Sequence, residues 1–281
     1  MLGKRSAVVI AAAVVVLAAA PAAARAADWV GLGDSYAAGP LIPNQSLSPL
    51  GCLRSDHNFA HLSAAAVGMS LADVSCSGAT TADMTASQST DAGTNPPQFD
   101  ALSTATKVVS LQISGNDIGF TSILENCATV NPFSHPCQDK YGTGPNNQLE
   151  QRIAATAPKV AAVLQGIHQR SPSARVLLVA YAAILPPTGS GCWPQVPISF
   201  SDVPYLRQIE IDLNGMLADQ AAANGARYVD DYTPSTSFNA CRSSSVRWVE
   251  PLVPANAAAP FHPNARGERG VSVSVTAAAS A

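Results

Sequence analysis

Past residue 27 the chain alternates short apolar runs with longer segments whose apolar positions recur at helical spacing. Residues 28–33 (DWVGLG), 70–76 (SLADVSC), 107–117 (KVVSLQISGND), 174–182 (ARVLLVAYA) and 226–232 (ARYVDDY) read as strands. The run at 174–182 is almost continuously apolar, as expected of a strand covered on both faces. Residues 58–68 read as a helix stopped by Gly68. Within 149–169, Leu149, Ile153, Val160, Leu164 and Ile167 keep a helix period, and 203–225 is a second long helix ended by Gly225. Strands separated by helices predict a parallel sheet with helices on both faces. The segments 39–56, 85–100, 125–148 and 184–202 are rich in Gly, Pro, Ser and Asn, and loops of that length are usually functional or pinned. The alanine-rich tail, 277–281, is expected to fray.

Composition adds three constraints. The first is size: 281 residues, 47% hydrophobic, suffice for one sizeable core. The second is a leader. Lys4 and Arg5 precede an apolar stretch from Ala7 to Ala20, Pro21 interrupts it, and Ala24-Arg25-Ala26 supplies a small-residue cleavage site. Residues 1–26 therefore read as a secretory signal peptide, and 27–281 as one exported domain. Losing Lys4, Arg5 and Arg25 leaves 13 basic against 19 acidic residues, a net charge of −6. That argues against a nucleic-acid partner or an anionic membrane surface. No later segment is long and apolar enough to span a bilayer, and a monomer is expected. The third is an even set of six cysteines, which in an exported chain reads as disulfides. Sequential pairing, Cys52–Cys76, Cys127–Cys137 and Cys192–Cys241, is the simplest scheme because each loop closes locally. No Cys-x-x-Cys occurs. His57 and His61 come nearest to a metal pair, lack a third ligand, and read as a helix edge; no metal and no cofactor is expected.

In a parallel sheet, active sites lie beyond the carboxyl ends of the strands. Ser35, Gly78 and Asn116 each follow a predicted strand, so one rim receives all three. A serine hydroxyl needs a base to become a nucleophile, and the oxyanion it generates needs fixed donors. The Ser35 N–H, the Gly78 N–H and the Asn116 amide would supply them, with glycine allowing close backbone approach. Of five histidines, His57, His61 and His168 fall on predicted helices and His135 in a proline-flanked loop. His262 lies in a late loop, 259–270, that leads into a last helix and can fold back over the rim. Each residue also has a plainer use: Ser35 as a helix N-cap, Asn116-Asp117 as a turn pair, His262 as a loop residue.

The blocks GDSYAAG (33–39), SCSGATT (75–81), SGND (114–117) and FHPN (261–264), in this order, resemble those of the SGNH hydrolases, also called GDSL esterases and lipases. The six cysteines resemble the secreted actinobacterial branch. The resemblance implies a flavodoxin-like α/β/α fold, Ser35 as nucleophile, His262 as base, and Ser35, Gly78 and Asn116 as the oxyanion hole. Most of the family has an aspartate three residues before the histidine, where this chain has Ala259. Either the Ala259 carbonyl orients His262, which is the favoured expectation, or Asp230 or Asp231 does so from the end of the last predicted strand. Asp34 reads as structural. Tyr36, Phe120, Trp193, Pro194, Ile198 and Phe200 line an acyl pocket or form satellite core under the loops. The resulting expectation is a secreted, cofactor-free esterase or lipase acting on a lipid or small-molecule ester. Phospholipase and polysaccharide acetyl esterase are alternatives within that chemistry, and an inactive binder of glycan or lipid is the alternative outside it.

Overall fold

A computed structural model describes residues 26–281. The leader read over 1–26 lies, but for Ala26, outside them. Among the described residues seven strands form: β1 (Trp29–Gly33), β2 (Leu71–Asp73), β3 (Gln88–Thr90), β4 (Gly93–Asn95), β5 (Val108–Gln112), β6 (Arg175–Val179) and β7 (Arg227–Val229). Five of them build one parallel sheet in the order β2-β1-β5-β6-β7, and β3 and β4 pair as a separate antiparallel ribbon. The chain leaves β1 for β2 on one side, then crosses to β5 on the other. The topological switch point, where such sheets bind ligands, therefore lies between β1 and β5.

The helices are α1 (Ser35–Ala38), α2 (Phe59–Ala66), α3 (Phe120–Cys127), α4 (Pro136–Tyr141), α5 (Gln148–Arg170), α6 (Asp202–Ala223), α7 (Tyr232–Ser235) and α8 (Ala265–Ser280). Alternate strand residues enter opposite cores, as the pleat requires. Val30, Leu32, Val109, Leu111, Val176 and Leu178 meet α5 and α6. Trp29, Val108, Leu177 and Val179 meet α2 and α8. The three helices and five strands read from the sequence pattern all form; the helix ends agree to within about two residues, and each strand is shorter than read. The tail departs from expectation. The last helix runs to Ser280, Ala278 and Ala279 are buried, and Arg227 donates to the Ala278 carbonyl at 3.3 Å. Alanine packs closely on a sheet face, so an alanine-rich end is here a buried one.

Three disulfides hold the long loops: Cys52–Cys76, Cys127–Cys137 and Cys192–Cys241. The first ties the loop after α1 to the segment leaving β2. The other two fix the loops that close the α6 side of the site. Among the described residues, no helix is long and apolar enough to cross a membrane.

Candidate active site

β1 ends at Gly33, whose φ of +149° and lack of a side chain are both required. A Cβ there would stand 2.4 Å from the Gln112 carbonyl oxygen on β5. The chain turns at once into α1. The N-cap is Asp34, not Ser35: its carboxylate accepts the Tyr36 N–H at 3.0 Å. Ser35 is thereby the first helical residue, half-buried, with its hydroxyl on the rim.

The Ser35 hydroxyl lies 2.8 Å from His262 Nε2, across 227 residues of sequence. His262 Nδ1 lies 2.8 Å from the carbonyl oxygen of Pro260. A carbonyl only accepts, so Nδ1 carries the proton and Nε2 is left to accept from the serine. The group on Nδ1 is thus a backbone carbonyl, but that of Pro260 rather than Ala259. The Ala259 carbonyl is already used: it accepts the His262 backbone N–H at 3.2 Å. This closes a turn with proline second and Phe261, at φ +61°, third, the pattern of a type II turn. Neither candidate aspartate reaches the imidazole: Asp230 caps the Thr233 N–H at 3.0 Å, and Asp231 is buried against α8, pushed up to about 8 by burial. Burial likewise lowers His262, to about 4, with the Pro260 carbonyl working against it.

Asn116 and Gly78 meet through one contact. The Asn116 amide donates to the Ala79 carbonyl at 2.9 Å, which brings the end of β5 to the segment after β2. Asp117 adds a second tie, accepting the Thr81 N–H and hydroxyl at 2.9 and 2.6 Å. Among the described residues the Ser35 and Gly78 N–H groups donate to no backbone carbonyl. Gly78 has a φ of +81°, a conformation that a side chain would strain. Within the protein, a Cβ there would meet only the Gln88 amide, at 3.6 Å.

The remaining histidines lie elsewhere. His57 precedes α2 and pairs with Asp56; His61 faces Asn58 and Asp73. His168 bonds the Asn224 carbonyl, and exposed His135 stands near Asp139. An apolar cavity opens beside Ser35 and Asn116, walled by Tyr36, Ile118, Phe120, Ile123, Ile198 and Ile209 among others. Trp193, Pro194 and Phe200 are not on its wall.

Two participants, Tyr181 and Glu210, were not singled out in the sequence, and Tyr36, read there as a pocket residue, has a further contact. Tyr181, just past β6, donates to Asp34 and accepts the Gly115 N–H at 2.8 Å. It joins the turn that carries Ser35 to the loop that carries Asn116. Burial pushes Asp34 up to about 7 against these donors. The Tyr36 hydroxyl donates to the Phe261 carbonyl at 2.6 Å, and its ring leans on His262 with centroids 5.0 Å apart. Glu210 lines the cavity, accepts the Ile184 N–H at 3.2 Å and is raised by burial to about 8, so it is protonated at neutral pH. The available signal was a hydroxyl at the end of an apolar strand and a carboxylate within an apolar helix face.

The model of the GDSL-like lipase/acylhydrolase family matches residues 32–269. The chain belongs to this family. Lipase 2 of Streptomyces coelicolor is 39% identical over 253 residues, 88% of this chain and 84% of that one. An esterase of Streptomyces scabiei is 30% identical over 244 residues, 74% of this chain and 71% of its own. Among solved structures, an extracellular lipase from Streptomyces rimosus superposes with a TM-score of 0.75 at 26% identity, covering 89% of this chain and 99% of its own. A phospholipase A1 from Streptomyces albidoflavus gives 0.75 at 24%, covering 92% and 100%, and shares the fold. As a GDSL-family member the chain is a carboxylic ester hydrolase by class.

Proposed function

We propose that this GDSL-family chain is an extracellular serine esterase for carboxylic esters with apolar acyl groups, acting through a Ser35–His262 dyad. The observation that carries this is the 2.8 Å contact between the serine hydroxyl and a neutral imidazole at the mouth of an apolar cavity. His262 Nε2 takes the hydroxyl proton as Ser35 Oγ attacks the ester carbonyl. The carbonyl oxygen becomes an oxyanion, stabilised by the N–H groups of Ser35 and Gly78 and the free amide N–H of Asn116. The imidazolium then returns the proton to the departing alcohol, leaving an acyl group on Ser35. A water deprotonated by His262 attacks that ester, and Ser35 regains its proton. The Pro260 carbonyl holds the Nδ1 proton throughout. It carries no formal charge, so it supports the imidazolium less than a carboxylate would.

The apolar cavity favours fatty or medium acyl groups over acetyl groups on polysaccharides. The head group of the substrate, glycerolipid or phospholipid, is settled by assay. Three disulfides and the leader support an extracellular site of action. The test is hydrolysis of p-nitrophenyl esters from acetate to palmitate by the mature protein and Ser35→Ala. The expected result is an optimum beyond acetate and a loss of at least about 10⁴-fold in the variant. Equal activity of the two proteins would remove Ser35 as nucleophile. Absence of covalent labelling by an organophosphonate would favour a non-catalytic binder.

A further inference from the structure

The two loops flanking the cavity carry exposed apolar side chains. Val130 is 94% exposed, Phe133 81% and Phe200 37%, and the two phenylalanine rings meet edge to face with centroids 5.5 Å apart. Single exposed apolar residues are ordinary; a cluster held on a fixed surface marks an interaction site. This surface is fixed. Ala128 and Ile198 form an antiparallel bridge, Thr129 N–H donates to the Pro197 carbonyl at 2.8 Å, and Phe200 N–H to that of Pro132 at 2.9 Å. The Trp193 indole donates to the Thr129 carbonyl at 3.1 Å. Disulfides Cys127–Cys137 and Cys192–Cys241 clamp both loops.

Two further observations identify the partner. Residues 126–138 and 187–201 contain no Asp, Glu, Lys or Arg, on a chain with more acidic than basic residues. The patch therefore has no fixed charge with which to recognise a charged partner, and no charge to desolvate on entering an apolar one. It is also continuous with the cavity: Ile198 is on the cavity wall, and Phe200 stands two residues along the same loop. α3 starts at Phe120, whose ring is edge-on to His262, and its eight residues end at the patch, about 12 Å away at 1.5 Å per residue.

We propose that Val130, Phe133 and Phe200 dock the enzyme on the surface of a zwitterionic or neutral lipid aggregate, next to the cavity that receives the acyl chain. This rests on the reading of the site as one for apolar acyl esters. Apolar side chains on a rigid support enter the headgroup boundary without the ordering cost of a flexible loop. Contact made without charge pairs does not weaken in salt.

The test separates docking from catalysis. Ser35→Ala protein is sedimented with phosphatidylcholine vesicles at 0.1 and 1 M NaCl, with and without Val130→Ser, Phe133→Ser and Phe200→Ser. Binding is expected to fall at least tenfold in the triple variant and to be insensitive to salt. In the Ser35 background, hydrolysis of dissolved p-nitrophenyl butyrate stays within twofold, while hydrolysis of a vesicle-borne ester falls at least fivefold. If the triple variant melts early, the Val130→Ser/Phe133→Ser pair, both more than four-fifths exposed, carries the test. Undiminished vesicle binding, equal loss on dissolved and vesicle-borne ester, or adsorption to insoluble xylan in place of vesicles overturns the proposal. Should no ester be hydrolysed at all, the vesicle binding of Ser35→Ala still judges the patch by itself.

Discussion

Two buried carboxylates flank the Ser35–His262 pair, one on each side, and they are held in opposite ways. Asp34 supports the nucleophile turn. It has two close donors, the Tyr36 N–H and the Tyr181 hydroxyl, and burial outweighs them, raising it to about 7. Glu250 supports the base loop. Burial raises it too, but Arg247 at 2.6 Å, the Asn256 and Asn264 amides at 2.7 and 2.6 Å, and the Ala255 N–H at 2.9 Å outweigh that and bring it to about 2. Its backbone N–H and carbonyl pair with the His262 carbonyl and the Phe261 N–H, both at 3.0 Å. The difference shows that burial alone does not set a carboxyl's charge; the number of donors converging on it does. The nucleophile side is built around a group near neutrality at pH 7, the base side around a full negative charge.

The sharpest way to break this comparison is to remove each carboxylate. Glu250→Ala leaves Arg247, 5% exposed, as an uncompensated buried cation, and is expected to cost about 3–5 kcal/mol in urea unfolding at pH 7. Asp34→Asn replaces a half-neutral group by a neutral one of the same shape, and its cost should stay near 1 kcal/mol. Equal losses would sink the contrast. A second expectation concerns Tyr181→Phe, which removes the bridge from Asp34 to the Gly115 N–H. It should lower kcat about tenfold to a hundredfold with little change in KM, because the Asn116 loop is loosened while the cavity keeps its shape. A rise in KM with kcat intact would make Tyr181 part of acyl binding instead.

Titration sharpens the contrast further. Glu250 and His262 have lowered folded values, so the stability they contribute is complete above about 4.5 and 6.5 respectively. It is lost as pH falls toward about 2 for Glu250 and about 4 for His262. Asp34 has the opposite sign: stability falls as pH rises from about 4 through about 7, and Asp34→Asn should flatten that stretch of the ΔG–pH curve. The imidazole also stays basic in acid. The acid limb of kcat/KM should turn near pH 4 rather than 6.5, and a limb at 6.5 would contradict a half-buried, neutral His262.

The long elements were legible because their burial leaves a period in the sequence. α5 and α6 each bury one face over six turns, and β6 lies between two helical layers. Strand ends placed Ser35 and Asn116 on the rim, and the resemblance of their blocks suggested their roles. His262 was narrowed down by its late loop and singled out by the resemblance of its block. What escaped was set by single dihedrals and long-range pairs. The choice of Pro260 over Ala259 depends on the positive φ of Phe261, which no periodicity records. α3 and α4, of eight and six residues, are too short to display a period, and α4 lies wholly within the segment 125–148 that reads as loop. Tyr181 and Asp34 find each other across 147 residues, a contact no local pattern encodes.

Serine and histidine stand 227 residues apart, and the histidine comes only three residues before the last helix. That helix is seated on α2 by Glu268, which accepts the Phe59 N–H at 2.8 Å. The proposed nucleophile is therefore laid down near the start of synthesis and its proposed base near the end. A chain still growing carries a serine hydroxyl and nothing to activate it. On the proposed dyad, the order of the blocks leaves an ester hydrolase chemically silent until its final helix has docked.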